Sequence, residues 1–131
     1  FDADSGEPRG DLLGHTDGVL SIRFNAAGTQ LLTSGYDNTA RIWDLATLKE
    51  LRALRGHSWW VWSAEWSPDE RAVVTAGHDG KCIVWDLASV NNNKPETLAL
   101  FTGHTGPVYA ATWSPDGQRI ASAGYDQRVL V

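Results

Sequence analysis

Histidine, hydroxyl and aspartate side chains recur along this chain in the same order and register. A base, a hydroxyl and a carboxylate are the groups of a hydrolytic triad, in which the histidine takes the proton of the nucleophilic hydroxyl. The three sets are His15, Thr33 and Asp37; His57, Thr75 and Asp79; and His104, Ser122 and Asp126. Hydrolysis is therefore the first reaction that these residues suggest.

Triplication of these residues argues against catalysis. An enzyme needs one site at which nucleophile, base and oxyanion donors converge. The sequence has no Gly-x-Ser-x-Gly elbow, no glycine-rich phosphate loop and no His-Glu-x-x-His motif. Three histidines spread one per repeat cannot meet at one metal ion, whose nitrogen ligands lie at about 2.0–2.1 Å. We therefore expect no catalytic residues, no metal site and no cofactor.

The whole chain is built from one repeated unit. Gly-His pairs stand 42 and then 47 residues apart, at Gly14-His15, Gly56-His57 and Gly103-His104. Trp43-Asp44 and Trp85-Asp86 keep the same register, with Phe1-Asp2 at the corresponding first position. The units cover about residues 1–42, 43–84 and 85–131. A period of this size indicates stacked supersecondary units that bury a core between neighbours.

Each unit has the pattern of short strands separated by turns. In the first unit the predicted strands are Val19–Phe24, Gln30–Ser34, Ala40–Trp43 and Lys49–Arg55. Apolar residues alternate along them, which favours strands over helices. We expect two sets of matched pairs to pack against the adjacent unit: Ile22/Phe24, Ala64/Trp66 and Ala111/Trp113; and Ala40/Ile42, Cys82/Val84 and Val129/Val131. The sequence thus predicts an all-β fold.

Four short strands in a repeat of this length are typical of a β-propeller blade. With its phased Gly-His, Ser/Thr, Asp and Trp-Asp motifs, the chain resembles the WD-repeat propeller family over essentially all of its length. It departs from the pattern at Phe1, where Trp is expected, and in lacking the Trp due just past Val131. The resemblance implies three blade-equivalents of four antiparallel strands.

The resemblance also gives the recurring polar residues a structural role. Within each blade of the family, His, Ser/Thr, Asp and Trp form a hydrogen-bonded tetrad that satisfies polar groups inside an apolar sheet. In this sequence the predicted tetrads are His15, Thr33, Asp37 and Trp43; His57, Thr75, Asp79 and Trp85; and the incomplete set His104, Ser122 and Asp126.

A partner-binding rim is implied by the positions that the family motif leaves free. Two such positions lie at the start of the first strand of a blade, and one directly precedes the tetrad Asp. The predicted rim is Leu20, Tyr36, Trp60, Trp62, His78, Tyr109 and Tyr125. Aromatic residues dominate interface hot spots. The alternative is that the rings fill the channel or pack between blades, although at least one of Trp59, Trp60 and Trp62 should be exposed.

Composition narrows the class of partner. The net charge of −5 argues against a general nucleic-acid surface, and no apolar run reaches the roughly 20 residues that a membrane-spanning helix needs. Cys82 is the only cysteine and is predicted to be a buried apolar residue. The stretch Asn91–Pro95 is expected to be a surface loop. We expect a cytoplasmic protein that binds a protein or peptide.

Three hypotheses for function remain open at this stage. The leading one is a non-catalytic interaction scaffold; the others are a regulatory or sensory segment of a larger signalling enzyme such as a kinase, and a self-assembling structural fragment. Propellers need about four to eight blades to close. We therefore expect further blades, either in the same polypeptide or from a homo-oligomer.

Overall fold

The computed structural model describes residues 1–88 and 96–131, so the predicted loop Asn91–Pro95 lies outside the described residues. The strands are β1 (Val19–Phe24), β2 (Gln30–Gly35), β3 (Thr39–Asp44), β4 (Lys49–Arg55), β5 (Val61–Trp66), β6 (Ala72–Gly77), β7 (Cys82–Asp86), β8 (Glu96–Phe101), β9 (Val108–Trp113), β10 (Ile120–Gly124) and β11 (Val129–Leu130). No helix occurs within these described ranges, and hence none that is long and apolar enough to cross a membrane. The all-β prediction is confirmed.

The strands form three antiparallel sheets in chain order. The first sheet is β1-β2-β3-β4, the second is β5-β6-β7-β8, and the third is β9-β10-β11. In the first sheet the four predicted strands match the observed ones to within one residue at each end. Each four-stranded sheet is a meander, because every strand pairs with its sequence neighbour.

Side chains at equivalent positions close the first turn of each sheet. The Asn25 Oδ1 accepts from the Gln30 amide at 2.9 Å. The Ser67 and Ser114 hydroxyls accept from the amides five residues on, again at 2.9 Å. Short polar side chains can bond to nearby backbone in this way and so stabilise turns. An equivalent side chain-to-backbone hydrogen bond therefore closes the first turn of all three sheets.

Neighbouring sheets pack face to face, and the core lies between them. Leu32, Ala40, Ile42 and Leu54 of the first sheet share one cluster with residues of the second sheet, including Trp85. A second cluster joins the second sheet to the third through residues such as Val74, Cys82, Val108 and Ala111. Trp66 and Trp113 are half-buried against these clusters. The second sheet is therefore covered on both faces.

The outer faces of the first and third sheets have no sheet against them within residues 1–131, so two of the predicted packing pairs are exposed there. Ile22 and Phe24 are 55% and 65% exposed, whereas their counterpart Ala64 is 2% exposed. Val129 and Val131 are likewise 70% and 84% exposed. The physical reason is that each pair needs a sheet on its own side, and these faces are at the ends of the stack.

Replacing Leu32, which is fully buried between the first two sheets, should destabilise the fold. We expect Leu32→Ala to lower the free energy of unfolding by about 2–5 kcal/mol, through lost burial and the cavity left behind. Urea denaturation followed by circular dichroism measures this. The matched control is Leu98→Ala, because Leu98 is 59% exposed on β8. Equal losses in the two variants would contradict the assigned core.

Candidate functional site

A chain of hydrogen bonds links four side chains in the first sheet. The His15 Nδ1 lies 2.8 Å from the Asp37 Oδ2, and its Nε2 lies 2.7 Å from the Thr33 Oγ1. The Trp43 Nε1 donates to the same Thr33 oxygen at 2.8 Å. An ionised carboxylate only accepts, so neutral His15 carries its proton on Nδ1 and accepts the hydroxyl proton at Nε2. Every donor in this series of four side chains has an acceptor.

The second and third sheets repeat this arrangement, with one difference. His57 lies 2.9 Å from Asp79 and 2.8 Å from Thr75, which accepts from the Trp85 indole at 2.9 Å. His104 lies 2.9 Å from both Asp126 and Ser122. No indole donates to the Ser122 hydroxyl within the described residues. The third set is thus complete except for its tryptophan position.

The geometry of the first two sets does not suit attack on a substrate. Thr75 is fully buried and Thr33 is 5% exposed, so a substrate carbonyl cannot reach either hydroxyl. The carboxylates also anchor backbone: Asp37, Asp79 and Asp126 accept from the amides that follow the three histidines. Each set therefore ties a Gly-His loop to the middle of its sheet.

Burial and hydrogen bonding shift the ionisation of these groups. Burial alone would raise the pKa of Asp37, but bonds from Thr39 and His15 outweigh it and bring the pKa to about 2. The pKa of Asp79 is also lowered, because bonds from His57 and the Ser58 amide outweigh burial. Burial lowers the pKa of His57, against the opposing effect of Asp79. The second set thus favours neutral His57 beside ionised Asp79.

The first sheet carries an additional buried ion pair that the repeat pattern did not predict. Arg41 is 6% exposed, and its guanidinium lies 2.5 Å from Glu50 and 3.3 Å from Asp37. The corresponding residue of the second sheet is Ile83. In the aligned repeats, a charged Arg41 stands where the second unit has Ile83, and this difference could have indicated a polar contact specific to the first sheet.

Backbone hydrogen bonds bring the predicted rim positions together in pairs. The amides of Tyr36, His78 and Tyr125 donate to carbonyls at the start of the first strand of each sheet, at 2.8–2.9 Å. The acceptors are Gly18, Trp60 and Pro107. The residue before each aspartate is therefore fixed beside the entry to β1, β5 or β9.

Six rings form a continuous group at this end of the sheets, which we call the aromatic rim cluster: Tyr36, Trp59, Trp60, Trp62, His78 and Tyr109. Tyr36 of the first sheet lies edge-on to Trp60, with centroids 4.8 Å apart. Trp62 lies edge-on to Tyr109 of the third sheet at 5.6 Å. Edge-to-face contacts at these distances are favourable. The cluster therefore bridges all three sheets.

Exposure differs within the aromatic rim cluster. Trp59 and Tyr109 are 51% and 45% exposed, whereas Tyr36, Trp60, Trp62 and His78 are half-buried. The Trp62 Nε1 donates to the His78 Nδ1 at 3.3 Å. Trp59 was not among the predicted rim residues, yet its ring packs on Trp60 and His78. Its position close to Trp60 and Trp62 in the sequence was the feature that could have predicted its place in the cluster.

Two predicted rim residues lie outside the aromatic rim cluster. Tyr125 is 69% exposed and makes no ring contact with the described residues. Leu20 is half-buried on β1. The structure therefore brings together five of the seven predicted rim positions, namely Tyr36, Trp60, Trp62, His78 and Tyr109.

One cavity and the cysteine lie outside the aromatic rim cluster. A cavity of about 540 Å³ is lined by Cys82, Ser122 and other residues of the second and third sheets, with none from the aromatic rim cluster. Burial raises the pKa of the Cys82 thiol to about 11, which disfavours the reactive thiolate. Within residues 1–88 and 96–131, no three His, Cys, Asp or Glu side chains are grouped to hold a metal ion.

Comparison with known proteins gives matches along most of the chain. The family described as "WD domain, G-beta repeat" matches residues 6–44, 48–86 and 95–131. Coronin-7 of Mus musculus is 44% identical over 52 residues, which is 39% of this chain and 6% of that protein. Transducin-like enhancer protein 2 of Mus musculus is 49% identical over 45 residues, covering 34% and 6% of the two chains.

A third relative is named as an assembly factor. Dynein assembly factor with WD repeat domains 1 of Xenopus laevis is 37% identical over 46 residues, which is 35% of this chain and 11% of that protein. The matched segment thus spans only 6% to 11% of the length of these curated relatives.

Removing the Asp79 carboxylate should weaken the second sheet. Asp79→Ala leaves the His57 Nδ1 and the Ser58 amide without their acceptor. We expect the free energy of unfolding to fall by about 1–3 kcal/mol. Thermal melts against Asp11→Ala, a change at an exposed aspartate, measure the effect. An Asp79→Ala chain that melts with the parent would contradict the role assigned to this carboxylate.

Acid should remove stability that neutral His57 contributes. Because its pKa is lowered in the folded chain, the unfolded chain binds more protons once the pH drops below about 6.5. The contribution is complete above that pH and is lost as pH falls toward the folded pKa. We expect the stability difference between pH 7.5 and 5.5, measured by urea denaturation, to shrink in His57→Gln. An unchanged difference would show that another group controls the acid response.

Proposed function

Since this chain belongs to the WD domain, G-beta repeat family, we propose that it is a non-catalytic interaction module that binds a protein or peptide partner through the aromatic rim cluster. Repeats of this family generally mediate protein–protein interaction. The names of the relatives include an enhancer protein and an assembly factor. A binding role for this segment is consistent with both observations.

The observation that carries the proposal is the continuity of the aromatic rim cluster across the three sheets. Tyr36 comes from the first sheet, the tryptophans and His78 from the second, and Tyr109 from the third. Large rigid rings bury much area on binding at a small cost in side-chain entropy. A partner lying on this cluster would contact all three sheets at once.

Packing between blades and binding to a partner are both compatible with this geometry, because they involve different rings. Trp60 and Trp62 are half-buried, and they lie edge-on to each other at 5.9 Å. Trp59 and Tyr109 each expose about half of their surface. Trp60 and Trp62 support the surface, and Trp59 and Tyr109 are the proposed anchors for the partner.

The absence of catalysis in this proposal rests on the burial of the hydroxyl groups. The threonine hydroxyls of the first two sets are enclosed by their sheets, since Thr33 is 5% exposed and Thr75 is fully buried, whereas Ser122 of the third set is half-buried. The indole of Trp43 or Trp85 occupies an acceptor site on the threonine oxygen in the first two sets. The net charge of −5 further favours protein partners over nucleic acid.

The proposed anchors can be tested once a partner is captured on the immobilised chain and identified. We expect Trp59→Ala and Tyr109→Ala each to weaken partner affinity about 30-fold, since aromatic hot spots contribute roughly 2 kcal/mol or more. Calorimetric titration measures the affinity, and circular dichroism checks the fold. Trp62→Ala should reduce affinity too, but it also removes the bond to His78.

Leu98→Ala is the control for this experiment, because Leu98 is as exposed as the anchors but lies on β8. Unchanged affinity in Trp59→Ala and Tyr109→Ala would refute the proposed anchors. Loss of folding in both variants would instead identify these rings as core.

A further inference from the structure

A cavity of about 380 Å³ lies between the first and second sheets, each of which has four paired strands. Its apolar walls are Ile42 of β3, Leu51 of β4, Trp66 of β5 and Leu87, which follows β7. Ile42 is 3% exposed, whereas Leu51 is 42% exposed. Ligand sites commonly have volumes of about 300–1,000 Å³ and mostly apolar walls. Trp66 is the last residue of β5, so the cavity lies at the opposite strand ends from the aromatic rim cluster.

Three polar side chains also line this cavity, namely Gln30, Arg52 and Glu70. Gln30 and Arg52 are half-buried. Within the described residues, the Arg52 guanidinium takes part in no ion pair, and neither it nor the Gln30 side-chain amide has a hydrogen-bond partner. A guanidinium has five N–H donors in a planar fork that matches a carboxylate. The cavity therefore combines an apolar surface with an unpaired cation.

The equivalent groove between the second and third sheets lacks these polar groups. By strand register and repeat position, the residues that correspond to the three polar side chains are Ala72, Ala99 and Gly117. The apolar positions are kept, with Leu98 in place of Leu51 and Trp113 in place of Trp66. The polar side chains are thus specific to the first groove, whereas the apolar walls belong to the repeat.

Glu70 fixes one wall of this cavity. Its carboxylate accepts from the Ala26 amide and from the Asn25 side chain, both in the first turn of the neighbouring sheet. Its φ of 58° lies in the left-handed region, where the equivalent residues of the other two turns are Gly28 and Gly117. A residue with a Cβ has a conformational cost in this region, which the bonds to the neighbouring sheet offset. Because these donors occupy the Glu70 carboxylate, the Arg52 charge is left for a ligand.

The strand that carries Arg52 is basic, although the net charge of the chain is −5. On β4, Lys49, Arg52 and Arg55 stand with one carboxylate, Glu50, which pairs with Arg41 instead. The equivalent strand β8 has no lysine or arginine. β4 is also the outer strand of its sheet, and an outer strand presents backbone donors and acceptors that an extended peptide can bond. The charge and the strand edge together complement an acidic peptide.

We propose that this cavity and the edge of β4 bind an acidic peptide segment of a partner protein. An aliphatic side chain of the peptide enters the cavity beside Trp66, and a carboxylate two residues further along binds the Arg52 guanidinium. This spacing follows because alternate residues of an extended strand lie on the same side. The site shares no residue with the aromatic rim cluster, and it does not rest on the function proposed above.

The probe is the synthetic peptide Ser-Asp-Leu-Thr-Glu-Asp-Ser with blocked ends, titrated into the isotope-labelled 131-residue chain. Nuclear magnetic resonance follows the Trp66 indole N–H and the Arg52 side-chain N–H, and we expect both signals to shift on binding. Replacing the peptide glutamate by glutamine should weaken binding about tenfold, the value of one charge-assisted hydrogen bond. Replacing the peptide leucine by alanine should also weaken binding about tenfold, through lost apolar burial.

Arg52→Gln in the chain completes a double-mutant cycle. This variant should bind the glutamate peptide about tenfold more weakly than the parent does, yet bind the glutamine peptide as the parent does. Arg55→Gln is the matched control, because it removes the same charge from β4 at an exposed residue that does not line the cavity. We expect Arg55→Gln to weaken binding by no more than about twofold at physiological salt, since exposed charges are screened. Circular dichroism checks that both variants are folded, and the peptide variants test the site in the unmodified chain.

Three outcomes would overturn the proposal. One is a titration in which the Trp66 and Arg52 signals of the folded chain do not shift. Another is an equal loss of affinity in Arg52→Gln and Arg55→Gln, which would assign binding to general charge attraction. The third is isocaproate, a free aliphatic acid, binding as tightly as the peptide does. That result would assign the cavity to a small carboxylic acid.

Discussion

The structure depends on the need of each small sheet to bury two apolar faces against neighbours. In the second sheet, which has a sheet on either side, all six residues of β6 are buried. Its equivalent at the end of the stack, β10, has no fully buried residue. A sheet of three or four short strands cannot enclose a core by itself, so stability and surface both follow from stacking.

Hydrogen bonding within each sheet satisfies the polar groups that stacking would otherwise leave buried and unpaired. A loop that crosses the end of an apolar sheet brings polar backbone with it, and the His-hydroxyl-Asp sets satisfy that backbone from inside. In the second sheet, Asp79 accepts from His57 and from the Ser58 amide at once. The residues that resemble catalytic groups are thus fixed in place by their burial.

The proposed partner surface lies where these two requirements leave side chains unused. Trp59 and Tyr109 lie at the strand entries, beyond the core and beyond the hydrogen-bonded sets, so their rings can face a partner.

The repeat pattern was enough to predict the all-β fold, the strand limits of the first sheet and the equivalence of the three His-hydroxyl-Asp sets, because each unit repeats the same turns and strand register. The packing of the sheets controls which of the equivalent residues are buried. Ile22 and Ala64 hold the same position, yet one is 55% exposed and the other 2%. The repeat mismatch marks Arg41, but its partner Glu50 is seen only in three dimensions. The reason is that a repeat specifies which face a residue occupies, whereas burial depends on what the neighbouring sheet places against that face.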